Sequence, residues 1–299
     1  MKLTSPSRVS RAVLATTCLS ALSIGVVGWV TPGFAASTHA NAATAARDYL
    51  ALGDSVTFGY RESNTTPPPN YLKAATFVSY AEDTAAALGF HVANASCPGE
   101  TSLSLTTKGV QSNGCENVPG GGSGYRSAFP LHVSYKGTQL QYAVTYLKTH
   151  PHTRLVSLMI GANDAFLCQE TTTDKCASEL PGVIAQIKAN VAVTLAAVRH
   201  QAHYKGQVVI VNYYSLDYAN AVDNAGSAAL NSAMDSAARP YSVQVADGYG
   251  AFQAAALQSG GNSCTAGLLT QLNGGGCGVH PSVAGQAVLA LAVEKVVKK

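Results

Sequence analysis

A serine, a glycine, an asparagine and a histidine, far apart along the chain, set the chemistry open to this protein. Ser55 ends an apolar run in "YLALGDSVTFGY" (49–60), Gly99 lies in "NASCPGETS", Asn163 follows a second apolar run in "LVSLMIGANDAF", and His280 stands in "CGVHPSVAGQ". A serine hydroxyl becomes a nucleophile when a neutral imidazole takes its proton, and attack on an ester carbonyl needs N–H donors for the oxyanion that develops. A glycine at position 99 lets the backbone approach a ligand with no Cβ in the way. Asn163 offers an N–H₂ donor and carries no charge to repel an oxyanion. By itself Ser55 reads as a turn residue; the nucleophile reading depends on the other three arriving at the same place.

The elements that must bring them together are strands alternating with helices. The runs "DYLALG", "HVANAS", "RLVSLMIG", "QVVIVNYY" and "YSVQVADG" predict strands, and helical patterns cover 74–89, 137–149, about 180–203, 227–238 and 282–297. In the longest, Ile184, Ile187, Val191, Leu195 and Val198 recur at steps of three and four, giving one buried face, and Pro181 suits its first turn. This alternation predicts a three-layer α/β/α sandwich on a mainly parallel five-stranded sheet, one domain over 47–299, with its site at the carboxyl ends of the strands. Ser55, Gly99 and Asn163 each follow a predicted strand and fall on that edge. His91 begins the second predicted strand and His150 and His152 precede the third, so they belong to the opposite edge, as do His200 and His203 at the end of the long helix. His280, after the final predicted strand, is the best-placed base, with His132 in reserve. Asp54 and Asp164 read as turn and cap ligands, and Glu100 and Thr101 as caps after Gly99. Tyr60, Tyr71 and Tyr125 are candidates to line a substrate groove.

The N-terminus predicts export. Lys2, Arg8 and Arg11 precede an apolar stretch from about Ala12 to Val30, then Pro32 and small residues, with cleavage after Ala36, Ala40 or Ala42. The leader is thus taken as residues 1–42, and a secreted location follows. The stretch exceeds the usual ~7–15 residues, so an uncleaved anchor is the alternative. Residues 1–46 hold three basic and no acidic residues, so 19 less 3 leaves 16 Lys+Arg against 16 Asp+Glu. The neutral remainder gives no basic nucleic-acid surface. Cys18 and Trp29 belong to the leader. The other six cysteines allow fifteen pairings; in an exported chain disulfides are expected, and their order along the sequence suggests three local loops, Cys97–Cys115, Cys168–Cys176 and Cys264–Cys277. No CxxC pair occurs, and no metal site is expected.

Taken in order, "GDSVTFGY", "NASCPGETS", "IGAND" and "VHPSVAGQ" resemble the motifs of the SGNH (GDSL-like) hydrolase family over essentially all of 47–299, and the three local cysteine pairs look most like its actinobacterial secreted lipases and esterases. The resemblance implies a flavodoxin-like fold and ester hydrolysis through an acyl-enzyme without metal or organic cofactor. Ser55 would be the nucleophile and His280 the base, with an oxyanion hole of the Ser55 and Gly99 N–H groups and the Asn163 amide. No Gly-x-Ser-x-Gly elbow occurs. The family usually carries an aspartate three residues before the histidine, and here that place is Cys277. The expectation is therefore a Ser–His dyad in which the Cys277 main-chain carbonyl accepts the His280 Nδ1–H, with Asp247 as a distant substitute. A monomer acting on small-molecule or lipid esters, with transient lipid-interface contact, is the expected working form. Polysaccharide deacetylation, and a binding protein whose hydrolytic site has decayed, are the alternatives.

Overall fold

The computed structural model describes residues 47–298, so the leader expectation for residues 1–46 lies outside the described residues. Strands β1 (Asp48–Gly53), β2 (His91–Asn94), β3 (Thr153–Met159), β4 (Gln207–Val211) and β5 (Gln244–Ala246) form one sheet in the order β2-β1-β3-β4-β5. Every adjacent pair is parallel. Tyr49, Leu50, Ala51 and Leu52 in β1 are all fully buried, as expected of a strand covered on both faces. The chain runs from β1 to β2 on one side and returns to β3 on the other, so its direction of travel reverses at β1 and β3. A crevice opens at the carboxyl ends of such a pair.

The helices are α1 (Ser55–Phe58), α2 (Tyr80–Leu88), α3 (Ser102–Thr106), α4 (Tyr125–Ala128), α5 (Gln139–Thr149), α6 (Ala162–Thr171), α7 (Leu180–Ala196), α8 (Ala221–Ala238), α9 (Gly248–Ala256) and α10 (Val283–Val296). α2 and α9 pack on α10, while α3 and α8 pack on α7, giving the two helical layers. The face predicted for α7 is the one it buries: Ile187, Val191 and Leu195 are inaccessible, Ile184 half so.

Three elements differ from the sequence expectation. The helix predicted over 74–89 is split, because Ser79 and Glu82 form a capping box that starts α2 afresh. α8 begins earlier than its apolar pattern, where the Asn220 side chain accepts from the N–H groups of Val222 and Asp223. The third difference bears on the site. His280 does not follow the last strand but lies inside β7 (Cys277–Pro281), which pairs antiparallel with β6 (Leu269–Gln271) in a hairpin apart from the main sheet. β6 has only three residues, too few to show a period-two pattern.

Candidate active site

The turn from β1 into α1 presents the serine. Asp54 caps α1, its Oδ1 accepting from the Val56 N–H at 3.0 Å, so Ser55 is the first helical residue. Its Oγ lies 2.9 Å from Nε2 of His280. A buried Asp54 carboxyl is costly when ionised: burial pushes its pKa up to about 6, against the opposing bonds from the Tyr213 hydroxyl and the Val56 N–H. Asp54 is thus a cap, as its sequence position suggests, held from the far side by Tyr213.

The other nitrogen of His280 meets a residue the sequence reading passed over. Nδ1 is 2.7 Å from Oε1 of Glu62. The same oxygen accepts the Val279 N–H at 3.0 Å, and Oε2 accepts the Thr270 hydroxyl. Burial works against ionisation of Glu62, but the hydrogen bond and charge of His280, together with Thr270, outweigh it and hold the carboxyl down at about 2. An ionised carboxylate only accepts, so Nδ1 carries the proton and Nε2 is left as the acceptor for the serine hydroxyl.

This corrects the expected dyad: the Cys277 carbonyl is not the partner of Nδ1. The physical reason is that Cys277 and His280 share the extended strand β7. Three residues of strand span ~10 Å, too far for the ring to fold back on that carbonyl. Asp247 is not the substitute either; it caps α9 by accepting the Gly250 N–H at 2.8 Å. One sequence signal could have found Glu62, since it is the sole acidic residue between Asp54 and Glu82.

Gly99 and Asn163 are joined by a second unforeseen residue, Asn113. Its backbone N–H donates to the Gly99 carbonyl at 2.8 Å, and its Nδ2 donates to Oδ1 of Asn163 at 3.3 Å. That bond spends the Asn163 oxygen and turns its N–H₂ group the other way. Among the described residues, no hydrogen-bond acceptor takes the N–H of Ser55, the N–H of Gly99 or the Nδ2 hydrogens of Asn163. Gly99 is required by its φ of +81° and by packing: a Cβ there would fall 2.4 Å from the Asn113 carbonyl oxygen. The missing Cβ thus makes room for the protein's own backbone at Asn113.

Behind these donors lies a buried polar layer. Gln139 on α5 exchanges two hydrogen bonds with the backbone of Gly53, at 2.7 and 2.9 Å, and donates to Oε2 of Glu100 at 2.9 Å. One side chain so ties the end of β1, just before Ser55, to the residue after Gly99. Burial pushes the Glu100 carboxyl up to about 7, against the bonds from Ser104 and Gln139. Thr101 caps α3, and Asp164 accepts from both the N–H and the hydroxyl of Ser102, at 2.7 and 2.6 Å.

His132, the reserve base, does not reach Ser55. Its Nε2 contacts the Phe58 carbonyl oxygen at 3.0 Å and its ring packs on the Phe58 ring. Tyr60, Tyr71 and Tyr125 do come together, in an aromatic wall with Phe58, Phe77 and Phe129, and the Tyr60 ring stands edge-on to His280 with centroids 4.9 Å apart. The three disulfides are Cys97–Cys115, Cys168–Cys176 and Cys264–Cys277. They staple the Gly99–Asn113 segment, the end of α6 and the hairpin bearing His280.

Residues 51–288 match the model of the GDSL-like Lipase/Acylhydrolase family. No curated protein sequence matches the chain. Among solved structures, the fold resembles phospholipase A1 from Streptomyces albidoflavus NA297, at 20% identity and a TM-score of 0.54 over 85% of this chain and 100% of that one. It also resembles Axe2, an acetylxylan esterase from Geobacillus stearothermophilus, at 15% identity and a TM-score of 0.53 over 85% and 94% of the two chains.

Proposed function

Since the chain belongs to the GDSL-like lipase/acylhydrolase family and so to the carboxylic ester hydrolases, we propose that it cleaves esters with Ser55 as nucleophile and His280 as general base. The observation that carries this reading is the 2.9 Å contact between Ser55 Oγ and His280 Nε2, within the reach required for proton transfer. The hydroxyl gives its proton to Nε2 as Oγ bonds to the ester carbonyl carbon. The carbonyl oxygen becomes an oxyanion served by the N–H groups of Ser55 and Gly99 and the Asn163 amide. The tetrahedral intermediate collapses as Nε2 returns the proton to the leaving alcohol, giving an acyl-enzyme. Water activated by the same nitrogen then releases the acid.

The aromatic wall beside His280 favours an apolar acyl group, and Leu72, next to Tyr71 and 72% exposed, adds apolar surface to the same loop. Lipid or short-acyl esters therefore rank ahead of acetylated polysaccharides, with transient contact at a lipid interface. Export is proposed on the leader pattern of residues 1–42 and on three disulfides. A fluorophosphonate probe tests the reading: it should label the wild-type protein on Ser55 and leave folded Ser55→Ala unlabelled. Labelling at another serine, or none on an intact fold, would refute it. Turnover across p-nitrophenyl esters of increasing chain length then ranks the substrates.

A further inference from the structure

We propose that Glu62, carried on the loop that follows the nucleophile, positions and charge-balances the His280 imidazole, and that Gly278 is the seat that admits its carboxylate. The inference rests on the ester-hydrolase reading and adds to it the source of the acid. In the resembled family the acid precedes the histidine by three residues, but here that place is a disulfide cysteine in a strand. The carboxylate enters instead from the opposite direction along the chain, seven residues after Ser55.

Two independent features mark the seat as built for it. The first is its donor set: the His280 ring N–H, the Val279 backbone N–H and the Thr270 hydroxyl all come from the β6–β7 hairpin and all face the one carboxylate. The second is a missing side chain. A Cβ at Gly278 would fall 1.9 Å from Oε1 and 2.1 Å from Cδ of Glu62, where no real contact exists. A side chain at 278 requires the carboxylate to shift from its present place beside the imidazole. Gly278 lies in the strand without a left-handed φ, so the glycine serves space and not backbone freedom.

Other groups face the imidazole or its partner. Asp54 lies close enough to couple to His280 by charge, although its own hydrogen bonds go to Tyr213 and Val56. The Tyr60 ring stands edge-on to the imidazole. Tyr71 and Tyr214 couple to Glu62, and the Tyr214 hydroxyl donates to the Val279 carbonyl at 2.6 Å. Among the described residues, Glu62 alone gives Nδ1 a direct acceptor. The loop also has a tether that is purely structural: the Asn273 N–H donates to the Asn64 carbonyl at 2.8 Å, and the Thr66 hydroxyl donates to Oδ1 of Asn273 at 2.5 Å.

The test compares pH profiles of kcat and KM on a p-nitrophenyl ester for the full chain and for Glu62→Gln, Glu62→Asp, Gly278→Ala, the Glu62→Gln/Gly278→Ala double variant and Asn273→Ala. Glu62→Gln should lose kcat by about 100-fold or more, with KM within about threefold. The acidic limb of its profile should move to lower pH, because the imidazolium loses the charge that stabilises it. Gly278→Ala should do the same through displacement, and the double variant should be no worse than the worse single, since both remove one interaction. Glu62→Asp should recover part of the limb shift, and Asn273→Ala should lower Tm without moving the limb. The proposal is overturned if Glu62→Gln keeps kcat within about threefold, loses it with the limb unmoved, or if Asp54→Asn shifts the limb and Glu62→Gln does not. Should Glu62→Gln fail to fold, Gly278→Ala and Glu62→Asp decide by the same two readouts. Turnover surviving in Ser55→Ala would instead strike the hydrolase reading itself.

Discussion

Replacing Asn163 by alanine isolates the proposed oxyanion donor whose geometry is most fully determined. The side chain is 7% exposed and its Oδ1 is already engaged by Asn113, so alanine removes one donor that no water can readily replace in the same place. Removing such a donor costs ~2.7–4 kcal/mol of transition-state stabilisation, which is a fall in kcat of about 10²–10³ with little change in KM. The neighbour gives an internal scale. The Asn113-to-Asn163 bond is 3.3 Å long, at the weak end of neutral hydrogen bonds, so Asn113→Ala should cost about 0.5–1 kcal/mol, or roughly two- to fivefold in kcat. Asn113→Asp is more severe, because a carboxylate cannot donate to Oδ1 and rewards rotation of the Asn163 amide, turning its oxygen toward the oxyanion. The assay is steady-state turnover of a p-nitrophenyl ester, with thermal unfolding to show that the fold survives. An Asn163→Ala protein that keeps kcat within about threefold would refute the placement of this amide at the oxyanion.

Three further outcomes follow from the same geometry. Glu62 is held at about 2, below its ordinary 4.5, so its contribution to stability is present above pH ~4.5 and is lost as pH falls through ~2; the difference in unfolding stability between wild type and Glu62→Gln should shrink over that interval, and a difference that stays constant would refute the charge account. Opening Cys97–Cys115 as a double serine variant releases the segment carrying Asn113, with an expected loss of about 3 kcal/mol and a fall in Tm of roughly 6–12 °C, together with reduced kcat. Gln139→Ala leaves the backbone groups of Gly53 and the Glu100 carboxyl without their buried partner; it should lower both stability and kcat, whereas unchanged kcat in a folded variant would deny that it positions the nucleophile turn.

What the sequence by itself determined is what depends on neighbours along the chain. A short apolar run ending in Gly-Asp-Ser reads locally as a buried strand and a capped turn, so β1 and the turn at Ser55 were legible, as were β3 with Asn163 after it and the buried face of α7. The cysteine order and the parallel sheet follow from local pattern of the same kind. Only the tertiary structure decided what each side chain faces. Glu62 meets His280 across a separation of 218 residues and Asn113 meets Asn163 across 50. Gln139 likewise reaches Gly53 across 86. No periodicity encodes such pairs. A loop glutamate is an ordinary surface charge until the hairpin supplies donors around it and Gly278 leaves it room. The expectation for Cys277 failed for the converse reason: adjacency in sequence suggested contact, while the extended backbone of β7 carries that carbonyl away from the ring. Local propensity sets the elements, but a proton relay is a matter of ångströms between groups that only folding brings together.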